Sequence, residues 1–322
     1  MAWSDILGQE RVIELLKTHL QDERVAHAYL FAGPDGVGKR RLAFEMAKAL
    51  NCTGAGNRPC DACTVCRQIA RGTHPDVHSV VAGGASDQIK IDMIRHVIGR
   101  VALRPYSAAF QVAILEGAER LTEEAANSLL KVLEEPSAHT RFILTTAQFS
   151  ACLPTIVSRC QLIRCRPLPA DVVKQILITQ KGCDEPTATA IASLSGGSAS
   201  EALALADRWS TYDQWVSLLG SDAPPAWFER PLPESREGVA QLLDGMMRWL
   251  RDLAVTATSE TAYIAHAGHA VALRRQVRGM DLDRCLDTVF ELVALRDSLE
   301  QFVSPRLVAA VAREKWLNLI GK

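Results

Sequence analysis

The stretch Phe31-Ala-Gly-Pro-Asp-Gly-Val-Gly-Lys-Arg40 restricts the chain to few folds. An apolar run, Ala28-Tyr-Leu-Phe-Ala32, precedes it. A pattern at helical spacing, Leu42-Ala-Phe-Glu-Met-Ala-Lys-Ala-Leu50, follows it. A buried strand, a glycine loop and a helix in that order make a phosphate-cradling P-loop. Gly33, Gly36 and Gly38 let backbone N–H groups curl towards phosphate oxygens at a helix N-terminus, and Lys39 is placed to reach the terminal phosphates. The pattern G-x-x-x-x-G-K-[ST] holds through Lys39 and then breaks, because Arg40 stands where a hydroxyl would bind Mg²⁺. The chain is therefore either a nucleotide motor or a P-loop fold that has lost its chemistry.

A length of 322 residues, 48% of them apolar, allows two or three domains with a sizeable core. A net charge of −1 argues against a dedicated nucleic-acid binder with a broad basic face. No apolar run approaches the roughly 18–20 residues of a membrane span. The opening Met-Ala-Trp-Ser-Asp has neither the basic nor the apolar region of a signal peptide, so a cytoplasmic location and no membrane contact are expected. In that compartment the nine cysteines are metal ligands or free thiols rather than disulfides. Cys52, Cys60, Cys63 and Cys66 are spaced C-x₇-C-x₂-C-x₂-C, which closes four thiolates around one tetrahedral, structural Zn²⁺. Cys152, Cys160, Cys165 and Cys183 show no such spacing and read as ordinary thiols.

Along the chain, a helix is expected from Ile6 to Leu20, capped by Ser4-Asp5. A strand follows over 75–81, a turn at Gly83-Gly84, and a helix over 89–103 that Arg104-Pro105 ends. Gln111-Val-Ala-Ile-Leu-Glu116 reads as a strand of Walker B type, whose terminal acid would hold Mg²⁺. Gly117 occupies the place of the carboxylate that polarises water, and Glu119 is expected to face solvent or a neighbouring subunit. Residues 122–135 form a capped helix stopped by Pro136. The strand 141–146 brings Thr145-Thr146 to the P-loop edge if the sheet is parallel. A short strand covers 161–164. Alternating strands and helices to about residue 165 imply an α/β layer with a parallel sheet. Beyond Pro167-Leu-Pro169 only helical patterns remain: 171–180, 185–194, 198–206, then, after a Pro-rich break at 224–233, 236–256, 262–278, 281–298 and 305–320. The last third is an all-α bundle with stripes such as Leu242, Met246, Trp249 and Leu253.

The order of these pieces is specific. Residues 33–39, the Cys₄ insertion at 52–66, the strand ending at Glu116, Asn127-Ser-Leu-Leu-Lys-Val-Leu-Glu-Glu-Pro136 and Pro154-Thr-Ile-Val-Ser-Arg-Cys160 together resemble the bacterial clamp-loader ATPases of the AAA+ superfamily. The resemblance covers about residues 1–206 and continues weakly in Gln301-Phe-Val-Ser-Pro-Arg-Leu307. It implies α/β plus all-α architecture: an AAA+ P-loop domain with the zinc insertion over 1–166, a small helical lid over 167–208 and a helical collar over 209–322. It implies a hetero-pentamer with motor (tau/gamma) and delta subunits, acting on a sliding clamp and primer-template DNA within a replicative DNA polymerase holoenzyme.

Three departures bear on activity. Arg40 replaces the Mg²⁺ hydroxyl, Gly117 the second Walker B acid, and Ser200, in Gly197-Ser-Ala-Ser-Glu-Ala-Leu203, the arginine that senses the terminal phosphate in the motors. They imply a subunit that does not hydrolyse ATP and whose loop, with Gly33, Gly36, Gly38, Lys39 and Glu116, holds nucleotide weakly or not at all. Arg159 then carries the chemistry as an arginine finger acting in trans on a neighbour's ATP. Two other readings stand beside this one: an active motor with an unusual P-loop, and a zinc-containing nucleic-acid-binding P-loop protein.

Overall fold

The computed structural model describes residues 3–320 apart from 23, 84–86, 222–226, 228–230, 260–263, 279 and 302. The chain forms two compact units, one of residues 1–172 with 197–200 and one of residues 173–196 with 201–322. Gly84 and Pro224-Pro225, expected in a turn and a break, lie outside the described residues.

The first unit is built on five strands: β1 (Ala28–Ala32), β2 (Val77–Val81), β3 (Gln111–Glu116), β4 (Thr140–Thr146) and β5 (Gln161–Arg164). Their order is β2-β3-β4-β1-β5 and every pairing is parallel. A parallel sheet is covered on both faces, so its central strands read as continuous apolar runs. Accordingly β1 is buried at every residue, and β3 at every residue but its last. Helix α1 (Glu10–Gln21) precedes β1, and α2 (Lys39–Asn51), α3 (Thr64–Ala70), α4 (Ile91–Val101), α5 (Glu123–Glu134) and α6 (Pro154–Val157) connect the strands. Ile94, Val97 and Val101 of α4 and Leu129 and Leu133 of α5 join one apolar cluster with Ala113, Leu115, Phe142 and Leu144 of the sheet. The register pairs Phe31 with Thr145, Ala32 with Thr146 and Glu116 with Thr145. The ends of β1, β3 and β4 therefore meet at the edge from which the P-loop leaves, as the sequence predicts for a parallel sheet.

The expected helix from Ile6 is corrected. Trp3–Asp5 is a single 3₁₀ turn and α1 starts at Glu10, with no side-chain cap. Burial decides this: Trp3 is buried and its indole N–H donates to Arg58 O at 3.1 Å. The buried Gln9 amide donates to Val37 O (3.3 Å) and Arg166 O (2.7 Å) instead of capping the helix. At α5 the sequence signal holds: the Thr122 hydroxyl accepts from Ala125 N at 3.3 Å.

Among the described residues of the second unit the regular elements are all helices. It contains α7 (Ala170–Lys181) from Val173 on, α8 (Glu185–Leu194), α9 (Ala199–Asp207) from Glu201 on, and α10 (Trp209–Leu219). These are followed by α11 (Arg236–Thr258), α12 (Ala270–Val277), α13 (Leu282–Ser298) and α14 (Pro305–Ile320). Helix α11 packs against α10, α12, α13 and α14, and its stripe of Leu242, Met246, Trp249 and Leu253 is fully buried. Helix α10 was not expected. The helix expected over 262–278 is shorter, because a 3₁₀ turn at Ala267–His269 precedes α12. That turn is anchored by the buried Asp252, whose carboxylate accepts from Ala265 N (3.1 Å) and His266 N (2.7 Å) and meets His266 Nδ1 at 2.8 Å. His266 Nε2 lies 2.9 Å from Tyr212 Oη. No helix among the described residues is long and apolar enough to cross a membrane.

Candidate functional site

The P-loop runs from the end of β1 into α2, with Lys39 as the first residue of the helix. Gly36 and Gly38 adopt left-handed conformations, φ +75° and +101°. At Gly36 there is also no room for a side chain: a Cβ would lie 2.2 Å from both Ser198 Oγ and Ser200 Oγ. Ala199 N donates to Gly36 O at 3.0 Å, so the segment 197–200 lies directly on the loop. Ser200, in the position the resemblance assigns to a phosphate-sensing arginine, touches the loop but brings no charge to it. Lys39 is buried and turned onto the loop's own carbonyls, donating to Gly33 O and Pro34 O at 2.6 Å each, with Asp35 Oδ1 at 3.4 Å.

Arg40 reaches across to β3. Its Nε donates to Glu116 Oε1 at 2.8 Å, and Ser79 Oγ donates to the same oxygen at 3.2 Å. A guanidinium of the chain itself thus pairs with the carboxylate that ends β3. Gly117, at φ +86°, donates its N–H to Thr145 O at 3.1 Å, and a Cβ there would lie 3.0 Å from Arg120 Cδ. A side chain at position 117 would therefore meet the Arg120 stem, whose guanidinium holds both Asp87 oxygens at 2.8–2.9 Å. Glu119 does not face solvent as expected. Its Oε1 accepts from Ala147 N at 3.2 Å and its Oε2 is buried without a partner. The free N–H just past the end of β4 draws the carboxylate inward, and a residue count from the strand could not show that.

Helix α2 ends where the cysteine insertion begins, with Cys52 as its C-cap. The sulfurs of Cys52, Cys60, Cys63 and Cys66 all lie within 4.8 Å of one another. A ZnS₄ tetrahedron with bonds of about 2.3 Å has edges of about 3.8 Å, so the four fit one ion with a small inward movement. Backbone N–H groups point at the sulfurs in series: Cys60 N to Cys52 Sγ (3.4 Å), Cys63 N to Cys60 Sγ (3.3 Å) and Cys66 N to Cys63 Sγ (3.4 Å). Burial pushes the Cys63 thiol up, but N–H groups of Cys66 and Thr53 outweigh it and bring it down to about 5. Burial pushes Cys66 up. An all-sulfur donor set with supported thiolates suits a soft or borderline cation. The insertion is docked on α2 by Lys48, which is fully buried, lies 2.6 Å from Glu45 and pairs with Asp61 between two of the cysteines. The sequence reading missed Lys48 and Asp61, and only the charge of a lysine on a buried helix face could have signalled them.

Arg159 follows α6. Its Nη2 donates to Glu134 Oε1 at 2.6 Å, and its Nη1 donates to Thr155 O at 3.0 Å and Ser158 Oγ at 3.2 Å. The Arg159 guanidinium thus meets groups of α5, α6 and the residue between α6 and itself.

Comparison with known proteins follows the same pieces. The profile of the family described as "DNA polymerase III, delta subunit" matches residues 8–169, half of the chain. A Bacillus subtilis protein named DNA polymerase III subunit delta' is 38% identical over 173 residues, 53% of this chain and 52% of that protein. A delta' subunit from Pseudomonas aeruginosa is 40% identical over 176 residues, 54% of this chain and 53% of that protein. The DNA polymerase III subunit tau of Escherichia coli is 34% identical over 212 residues, 64% of this chain but 32% of that protein. The chain thus spans about half the length of the delta' relatives it matches. The P-loop sheet, the cysteine insertion and the Ser158-Arg159-Cys160 segment all fall inside the matched region, and by that match the chain belongs to the DNA polymerase III delta-subunit family.

Proposed function

We propose that the chain is a delta-prime-type clamp-loader subunit that does not hydrolyse ATP at its own P-loop. The observation that carries this reading is the Arg40–Glu116 pair at 2.8 Å, which puts a cation of the chain itself on the Walker B acid. Lys39, satisfied by loop carbonyls, and Ser200, without charge, point the same way. In this reading the subunit joins tau/gamma and delta subunits in a pentameric ring in the cytoplasm, and the ring loads a sliding clamp onto primed DNA. Arg159 reaches the ATP of a neighbouring motor subunit. Residues 1–166 form the AAA+ domain, 167–208 the lid and 209–322 the collar. Cys52, Cys60, Cys63 and Cys66 would hold a structural Zn²⁺, which supplies cross-linking rather than catalysis.

The test is ATP hydrolysis by the chain alone and by the complex reconstituted with tau/gamma and delta. The chain alone should show no turnover. Arg159→Ala should lower turnover at the neighbouring site by on the order of 10³, the scale of arginines supplied in trans to GTPases. Turnover by the isolated chain that Lys39→Ala abolishes would overturn the first statement. An unchanged complex would overturn the second.

A further inference from the structure

The contacts of Arg159 occupy both terminal nitrogens of its guanidinium: Glu134 on one, Thr155 O and Ser158 Oγ on the other. A guanidinium grips a phosphate through paired N–H groups. Here those groups already serve partners in the same chain. The arrangement is held from below. Glu134 is the last residue of α5, directly after the buried Leu133, and Arg159 lies between α6 and Cys160. Leu129, Leu133 and Ile156 belong to one apolar cluster, and Leu130, Val157 and Cys160 pack against it. The seam between α5 and α6 is therefore fixed, while the ion pair on top of it stays open to solvent, with Arg159 34% and Glu134 50% exposed.

We propose that Glu134 is a holding residue for the finger. It keeps Arg159 docked on its own chain, positions the guanidinium at the α5–α6 seam, and has to let go before Arg159 can touch a phosphate. This rests on the reading of Arg159 as a trans finger. The docked and engaged states compete for one guanidinium, so a change in the docked state shifts the population that engages. An exposed ion pair is weak, which makes the expected shift about two- to five-fold rather than orders of magnitude. A weak hold fits the task, since a strong one would prevent release.

The experiment compares wild type, Glu134→Gln, Arg159→Ala and the double variant in the full complex with tau/gamma and delta. ATP hydrolysis is measured with and without clamp and primed DNA. Glu134→Gln keeps the shape and removes the charge. It should raise kcat without DNA about two- to five-fold, leave KM unchanged, and leave the DNA-stimulated maximum unchanged. The gain should vanish in the double variant, and in the wild type added salt should raise the DNA-free rate towards that of Glu134→Gln. If Arg159→Ala depresses the rate while Glu134→Gln leaves the DNA-free rate unchanged or lowers it, Glu134 is not a holding residue and the finger reading stands. If Arg159→Ala changes nothing, the finger reading falls and the holding role with it. Melting curves of the Glu134→Gln chain, expected to match wild type for an exposed pair, separate these outcomes from misfolding.

Discussion

Asp76 shows what one buried carboxylate does for the edge of the sheet. Its oxygens accept from Tyr106 N (2.7 Å), Ser107 N (2.8 Å), Ala108 N (2.9 Å) and Gln111 Nε2 (2.9 Å). Burial alone would raise its pKa, but these N–H groups and His74 hold it below the usual carboxylate range. A depressed folded value means that the charged form stabilises the fold above the unfolded value of about 3.9, and that this is lost as pH falls through the lower folded value. Asp76→Asn should therefore cost about 2–4 kcal/mol at neutral pH by leaving N–H donors without an acceptor. In urea unfolding the gap to wild type should narrow below about pH 4. A gap that stays constant from pH 7 to 3 would show that the charge is not what matters. Glu119 is a similar case at smaller scale. Its distance in sequence from Glu116 suggested an outward side chain, yet the unpaired N–H of Ala147 turned it inward. At this scale a hydrogen-bond partner from a distant segment decides, and the local sequence does not contain it.

Helix α2 joins two sites, beginning at the P-loop lysine and ending at the first cysteine of the insertion. Removing one ligand should release the metal and loosen the insertion from the helix. Cys63→Ser should drop the zinc content from about one per chain to well below it. A chelator should lower the melting temperature of wild type and leave that of Cys63→Ser unchanged. Equal melting of both with and without chelator would rule out a structural ion. Elements with local signals were legible beforehand: Thr122 capping α5 and Pro136 following it, the apolar run of β3 ending at Glu116, and the start of α11 at Arg236 after the Pro-rich break. Elements set by tertiary burial were not. Helix α10 has no side-chain cap and a β-prone start, Trp-Ser-Thr-Tyr, and it is stabilised by burying Tyr212, Trp215, Val216 and Leu219 at helical spacing. The late start of α1 has the same origin, in the burial of Trp3 and Gln9.

For the molecule as a whole, Arg40, Gly117 and Ser200, the three departures from the motor pattern, lie together around the P-loop edge of the sheet, and under the proposed function each would remove a different part of the chemistry. Restoring one should not restore turnover. Arg40→Thr in the isolated chain should leave ATP hydrolysis at background, since Gly117 still offers no carboxylate and Ser200 no guanidinium. Mg²⁺-dependent turnover by that variant would show that Arg40 alone silences the site. The pieces that gave the family away were motifs in a fixed order, visible without coordinates. The pairing of Arg40 with Glu116, separated by 76 positions, needed the fold.

That pairing also changes what the site can respond to. A metal or nucleotide arriving from solution stabilises a protein by mass action, so an ordinary motor site reads the composition of its medium. A counter-charge carried on the chain has no concentration. The Glu116 carboxylate receives its counter-charge from Arg40 of the same chain, a partner whose amount does not vary with the medium. If the proposed ring holds, it would contain one subunit whose counter-charge at this edge of the sheet is set by its own sequence, through the Arg40–Glu116 pair.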